Sequence, residues 1–288
     1  MSIISEALPQ TQLGTNRLAT LARKTGQSLG KALLKVGLYG LGIAAAWELV
    51  YLLMVEVWHV WIPALFPAPV DVIGSLIDHA ADGTLWRAAS ASMLRLLIGF
   101  GISLPLGIVI GMGLAWNAWV KRIISPVVLG FQALPSVCWL PLAILWFGLN
   151  ERAIIFVVVM GSVFSITIAT YDSTKLVPPL YLRAASNMGV RGLPLFWRVV
   201  LPASLPATIS GARQGWSFAW RSLLGGELLT AGIGLGNLLN QGRDLTDMAL
   251  VMAVMLVIIG LGLLIDQLVL TRFESVIRHR YGLIAKTF

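Results

Sequence analysis

The run LLIGFGISLPLGIVIGMGLAWNAWV, Leu96 to Val120, carries no charged side chain over twenty-five residues. Wound as an α-helix at about 1.5 Å per residue, it is long enough to cross the roughly 30 Å hydrocarbon core of a bilayer. Three more charge-free runs reach or approach that length: Ile123–Asn150, Ala153–Tyr171 and Met248–Ile265. Two further candidates are less clean, since Val36–Val55 contains Glu48 and Val199–Ala231 is interrupted by Arg213, Arg221 and Glu227. The chain therefore reads as an all-α membrane protein with six transmembrane helices. Its composition agrees: 57% of residues are hydrophobic, 12% are charged and the mean hydropathy is +0.84, whereas soluble domains carry roughly a quarter charged residues.

The expected organisation is a cytoplasmic segment over 1–35, a six-helix domain over 36–271 with a long internal loop at 172–198, and a cytoplasmic tail over 272–288. Arg17, Arg23, Lys24, Lys31 and Lys35 precede the first span. That span is too long for a signal-peptide core and has no small-residue cleavage site after it, so it is read as an uncleaved first helix behind an amphipathic lead-in.

Lysine and arginine mark the cytoplasmic side of short loops. With the N-terminus inside, the inner segments hold fifteen basic residues and the outer ones three, Arg87, Arg152 and Arg243. Topology thus accounts for the net charge of +8. No compact basic domain with interleaved aromatic residues exists to bind nucleic acid. Cys138 is the single cysteine and the three histidines are scattered, which excludes a disulfide framework and leaves no metal-ligand spacing. Neither a Walker lysine motif, nor a nucleophile elbow, nor HExxH occurs, and the glycines of GIGLGN follow no strand, so they are not read as a phosphate loop.

The internal loop holds the most informative stretch, YLRAASNMGVRGLPLFWRVVLPASLP, Tyr181 to Pro206. Pro178 and Pro179 suit a helix entry, LYLRAASNM can form a short helix, and Gly189 stands where a left-handed cap ends one. The adjacent small side chains of Ala184 and Ala185 admit a neighbour closely. An amphipathic connector lying on the lipid surface is the alternative that these residues leave open.

The spacing Ala184-Ala185, three residues, Gly189, nine residues, Val199-Val200-Leu201-Pro202 resembles the signature cytoplasmic loop of ABC importer permeases. Arg183 stands where that motif has a glutamate. LFPAPVDVIGSL, SMLRLLIGFGISLPLGIVIG, QALPSVCWLPLAILWFGLNERAIIF, GARQGWSFAWRSLLGGELL and GIGLGNLL are similar to segments of the branch that carries nitrate, alkanesulfonates, taurine and bicarbonate. The resemblance implies the type I ABC importer permease fold, in which the loop is a coupling helix docked on an ATPase subunit. It assigns Arg183, Ala184, Ala185, Gly189, Leu201 and Pro202 to that loop. The implied partners are ABC ATPase subunits, a second permease subunit in a homodimer, a periplasmic or lipid-anchored solute-binding protein, and membrane lipid. No cofactor is expected in this chain, ATP and Mg belonging to the ATPase; localisation is the bacterial inner membrane with both termini cytoplasmic.

Charges inside apolar helices are costly and usually face the bundle interior or a cavity. Arg221 and Glu227, six residues apart, lie on differing faces of an ideal helix, so each is expected to pair across helices. Both are candidates for the translocation path, Arg221 for an anion and Glu227 as a gate or helix contact. Arg95 and Arg213 lie nearer helix ends and are expected to reach the headgroups. Gly107 and Gly111 form a small-xxx-small pair suited to close helix contact. Two alternatives stay open: a stand-alone secondary transporter or channel, disfavoured by the lack of an internal repeat, and an ABC importer of thiamine-precursor pyrimidines.

Overall fold

The computed structural model describes Leu38 and residues 40–281; the basic lead-in and Lys286 lie outside the described residues. The chain forms two compact units, the first ending at Asp71 and the second starting at Val72. In the first, α1 (Gly40–Val57) is an apolar helix whose last turn, Leu52–Val57, widens to π winding. The Phe66 ring packs against Trp61 and Trp47 at centroid distances of 5.3 and 6.4 Å. Helix α2 (Pro69–Ala81) runs across the unit boundary.

The second unit is organised around α6 (Glu151–Lys175), with α3 (Thr84–Trp116) and α8 (Leu193–Leu229) lying along it. Over half of the apolar window of α6 is buried, 56%, against 28% for α3 and 22% for α8, which makes α6 the central strut. Close approach is written into the glycines. A Cβ on Gly107 would lie 2.7 Å from Ile166, and one on Gly111 would lie 2.5 Å from the Thr167 carbonyl oxygen. On the other side, Gly211 and Gly215 of α8 leave room for Ala169 and Ile166. Small residues let backbones pack tightly where apolar burial alone gives little preference for protein over lipid. Ser173 and Thr208, whose hydroxyls are 2.8 Å apart, add a polar tie between α6 and α8.

The run Ile123–Asn150, expected as one span, is broken. Helix α4 (Ala118–Ala133) and the segment Ser136–Phe147, a 3-10 turn followed by α5 (Leu140–Phe147), meet at 103°. Pro135 supplies the reason, because a proline ring pushes the preceding residue out of the helical region. Leu134 accordingly sits at φ −73°, ψ 126° and ends α4. By contrast Pro105, Pro126 and Pro206 are accommodated inside helices.

Helix α8 starts six residues before the expected Val199, passes through a π turn at Phe196–Val200 and absorbs Leu201 and Pro202 into a continuous helix. Short α7 (Pro179–Asn187) precedes it, α9 (Leu235–Asp244) follows it, and α10 (Met248–Arg280) closes the described chain. Five helices are thus long and apolar enough to span, and the bent pair is the sixth candidate. No strand occurs among the described residues.

Candidate functional site

Arg221 lies on α8, where its guanidinium carbon sits 5.4 Å from the centre of the Phe218 ring and no carboxylate is within ion-pair distance among the described residues. It lines a cavity of about 360 Å³ between α8, α6 and the α4–α5 bend. Gln132, Ser136 and Ser165 supply further polar groups, while Phe131, Phe164 and Phe218 give apolar walls. Such a site offers a cation and hydrogen-bonding groups at one place and aromatic faces at another, a combination that fits a small anion with an apolar body.

Glu227, six residues further on, is in a different environment. It is 1% exposed, and its carboxylate takes an ion pair from Arg95 (Nη1 to Oε1, 2.8 Å), a hydrogen bond from the Ser92 hydroxyl (2.8 Å) and one from the Gly236 amide (3.0 Å). Ser92 Oγ in turn accepts from the Leu235 amide at 2.8 Å. The GIGLGN glycines therefore serve an anion, though an internal one. A Cβ on Gly234 would fall 2.6 Å from the Glu227 carboxyl carbon, and one on Gly236 would fall 2.7 Å from its Cβ, so only glycine lets this turn close over the acid. Arg95, expected to reach headgroups, is instead 4% exposed; its other terminal nitrogen donates to Glu151 at 2.8 Å. A buried charge is retained where a counter-charge and hydrogen bonds replace its water, and this site provides both. Glu227 does not line the Arg221 cavity.

Helix α7 holds Ala184 and Ala185 on adjacent positions, the first exposed and the second buried. It ends in a Schellman motif: the Gly189 amide donates to Ser186 O and the Val190 amide to Ala185 O, both at 3.0 Å, with Gly189 at φ +79°. Around it Leu180, Tyr181 and Met188 present apolar side chains that are 70%, 52% and 83% exposed. Arg183 is exposed and makes no ion pair among the described residues.

Residues 103–277 match the family model of the binding-protein-dependent transport system inner membrane component. A protein of Brucella melitensis biotype 1 described as a probable ABC transporter permease is 32% identical over 204 residues, covering 71% of this chain and 83% of that protein. The aliphatic sulfonates transport permease protein of Escherichia coli K12 is 31% identical over 222 residues, covering 76% and 82% of the two chains. That organism's taurine transport system permease is 28% identical over 212 residues, covering 70% and 77%. The chain belongs to the ABC importer permease family. A chain of the MetNI methionine ABC transporter, in an inward-facing conformation, superposes on the permease with a TM-score of 0.61 at 20% identity, covering 67% of the permease and 96% of that chain. The fold is thus that of a type I importer permease, an inner-membrane component that works with ATPase and solute-binding partners.

Arg213, also expected at the headgroups, ties two helices of the permease together. It grips Asp266 of α10 with two nitrogens (Nε 2.8 Å, Nη2 2.5 Å) and reaches Glu274 with the third at 3.1 Å. Glu274 also accepts from Ser210 and Arg278. Sequence reasoning did not single out Ser92, Glu151, Asp266 or Glu274 as partners. Each is unremarkable in its own segment, and only the side-by-side placement of helices brings Ser92 to Glu227 and the three acids to their arginines.

Proposed function

We propose that this permease translocates a small organic anion of the sulfonate or taurine class, working as one half of a C2 homodimer with both termini cytoplasmic. The observation that carries the substrate reading is Arg221: the cation has no acid partner and faces a cavity that also offers aromatic walls. A methylene-bearing sulfonate would set its oxygens on the guanidinium and its carbon chain on the rings. Nitrate and bicarbonate satisfy only the first part. ATP and Mg bind and react in the partner ATPase, since this chain contributes no nucleotide motif. Its closure moves the exposed apolar patch on α7, and through α6 and α8 that motion changes which side of the membrane the Arg221 cavity faces.

The test is ATP hydrolysis in nanodiscs by the permease with its ATPase and solute-binding protein, under taurine, an alkanesulfonate, nitrate, bicarbonate and formylaminopyrimidine. Taurine or the sulfonate is expected to stimulate turnover. Arg221→Gln should reduce that stimulation by about tenfold or more, the loss of one charge-assisted contact, while Arg221→Lys retains part of it. Equal stimulation by the uncharged pyrimidine, or a Gln variant as active as the parent, overturns the anion reading. Gly189→Pro combined with Ala185→Trp should uncouple hydrolysis from solute, which tests the role of α7 separately.

A further inference from the structure

At the α6–α7 end of the permease, two lysine ammonium groups and the Tyr171 hydroxyl line one cavity. Lys175 Nζ lies 4.3 Å and Lys121 Nζ 5.5 Å from the centre of the Tyr171 ring. Both lysines are exposed, and neither is within ion-pair distance of a carboxylate among the described residues. The Tyr171 hydroxyl is shielded from solvent and makes no hydrogen bond. These groups line a cavity of about 420 Å³ together with Trp116, Leu182 and Phe196. Trp116 and Phe196 form its apolar frame, edge to face with centroids 5.3 Å apart. Two ammonium groups held against one ring repel each other, and a shielded hydroxyl without a partner loses the hydrogen bonds that water would give it. A tetrahedral oxyanion between them relieves both costs.

We propose that this cavity is a binding site for a phosphate group, held by Lys121, Lys175 and the Tyr171 hydroxyl. A phospholipid headgroup and free inorganic phosphate share that chemistry. An aromatic frame at a helix end matches the headgroup region of a bilayer, where tryptophan and tyrosine gather. The site also spans five elements: Trp116 comes from α3, Lys121 from α4, Tyr171 and Lys175 from α6, Leu182 from α7 and Phe196 from α8. An occupant therefore ties the short helix α7 to the end of the central strut. The site depends neither on the solute nor on which leaflet this end faces, so a failure of the anion-transport reading leaves it standing.

The test is acetylation of the lysines, mapped by mass spectrometry, in the intact permease–ATPase complex in nanodiscs. Discs of a phosphorus-free galactolipid are compared with phosphatidylglycerol discs and with galactolipid discs plus inorganic phosphate. Lys121 and Lys175 should react about tenfold more slowly when the site is occupied, relative to Lys24 and Lys286 in the terminal segments. Protection by phosphatidylglycerol alone identifies a lipid headgroup, and protection by inorganic phosphate in the galactolipid discs identifies the free ion. Protection by neither overturns the proposal. Because one anion bridges both lysines, Lys175→Gln should also remove the protection of Lys121. If Lys121 stays protected as in the parent, the lysines act singly and the bridged site is wrong.

Discussion

Arg95 and Arg221 both stand in helices apolar enough to span a membrane, yet one is enclosed and the other open. Arg95 is 4% exposed and paired through its two terminal nitrogens with Glu227 and Glu151, with a glycine turn folded over Glu227. Arg221 faces a cavity with only an aromatic ring beside it. A charge whose counter-ion is built into the fold belongs to the structure. A charge without one leaves room for a counter-ion that arrives and departs. The first arrangement fixes the C-terminal end of α8 against α3, and the second leaves the Arg221 cation, six residues earlier, without a built-in partner among the described residues.

The largest effect expected from this contrast comes from breaking the enclosed pair. Arg95→Ala strands a buried carboxylate and should destabilise the permease by about 3 to 5 kcal/mol, read as loss of folded protein in detergent thermal unfolding. Arg95→Met with Glu227→Leu removes both charges and should recover most of that loss. Arg221→Gln, by contrast, should leave the thermal midpoint near the parent value while reducing solute stimulation by about tenfold or more. If Arg221→Gln unfolds the protein as Arg95→Ala does, the distinction between the two arginines fails.

Smaller effects sharpen the comparison along the helices. Gly107→Leu forces a side chain into the α3–α6 contact and should cost about 1 to 3 kcal/mol as overpacking. The same substitution at Gly101, with open space around it, should be nearly silent. Gly189→Ala places a Cβ in the left-handed region and should cost about 1 to 2 kcal/mol locally, seen as faster amide exchange at Val190. The smallest effect lies at Asp82, which accepts the Thr84 amide at 2.7 Å and is thereby held below the usual carboxylate range. That contact stabilises the start of α3 at neutral pH and is lost as pH falls through the lowered pKa. Asp82→Ala should thus differ slightly from the parent at pH 7 and match it once the pH is below the lowered pKa.

The spans and the α7 element were legible from local features. Runs without charge give the helices, while Pro179, the paired alanines and Gly189 give the short helix and its left-handed end. The break at Pro135 was visible as a proline inside a span, but the angle was not, because three other prolines are absorbed without one. The charge partners were illegible. Arg95 meets Glu227 across 132 positions and Arg213 meets Asp266 across 53, and nothing in either segment signals the other. The helix-end argument sent both arginines to the headgroups because it weighed only the distance to the end of the run. The acid on the neighbouring helix decided the outcome.

The bend between α4 and α5 has an evolutionary consequence. Its residues, Leu134 to Cys138, wall the Arg221 cavity or adjoin it, yet none is buried, and the Ser136–Trp139 turn contributes no buried residue to the core. On the proposal that this cavity takes the solute, selection for a new one acts on this segment while the glycine-packed trio of α3, α6 and α8 keeps its sequence. The same scaffold then diversifies into many carriers through changes at a handful of sites.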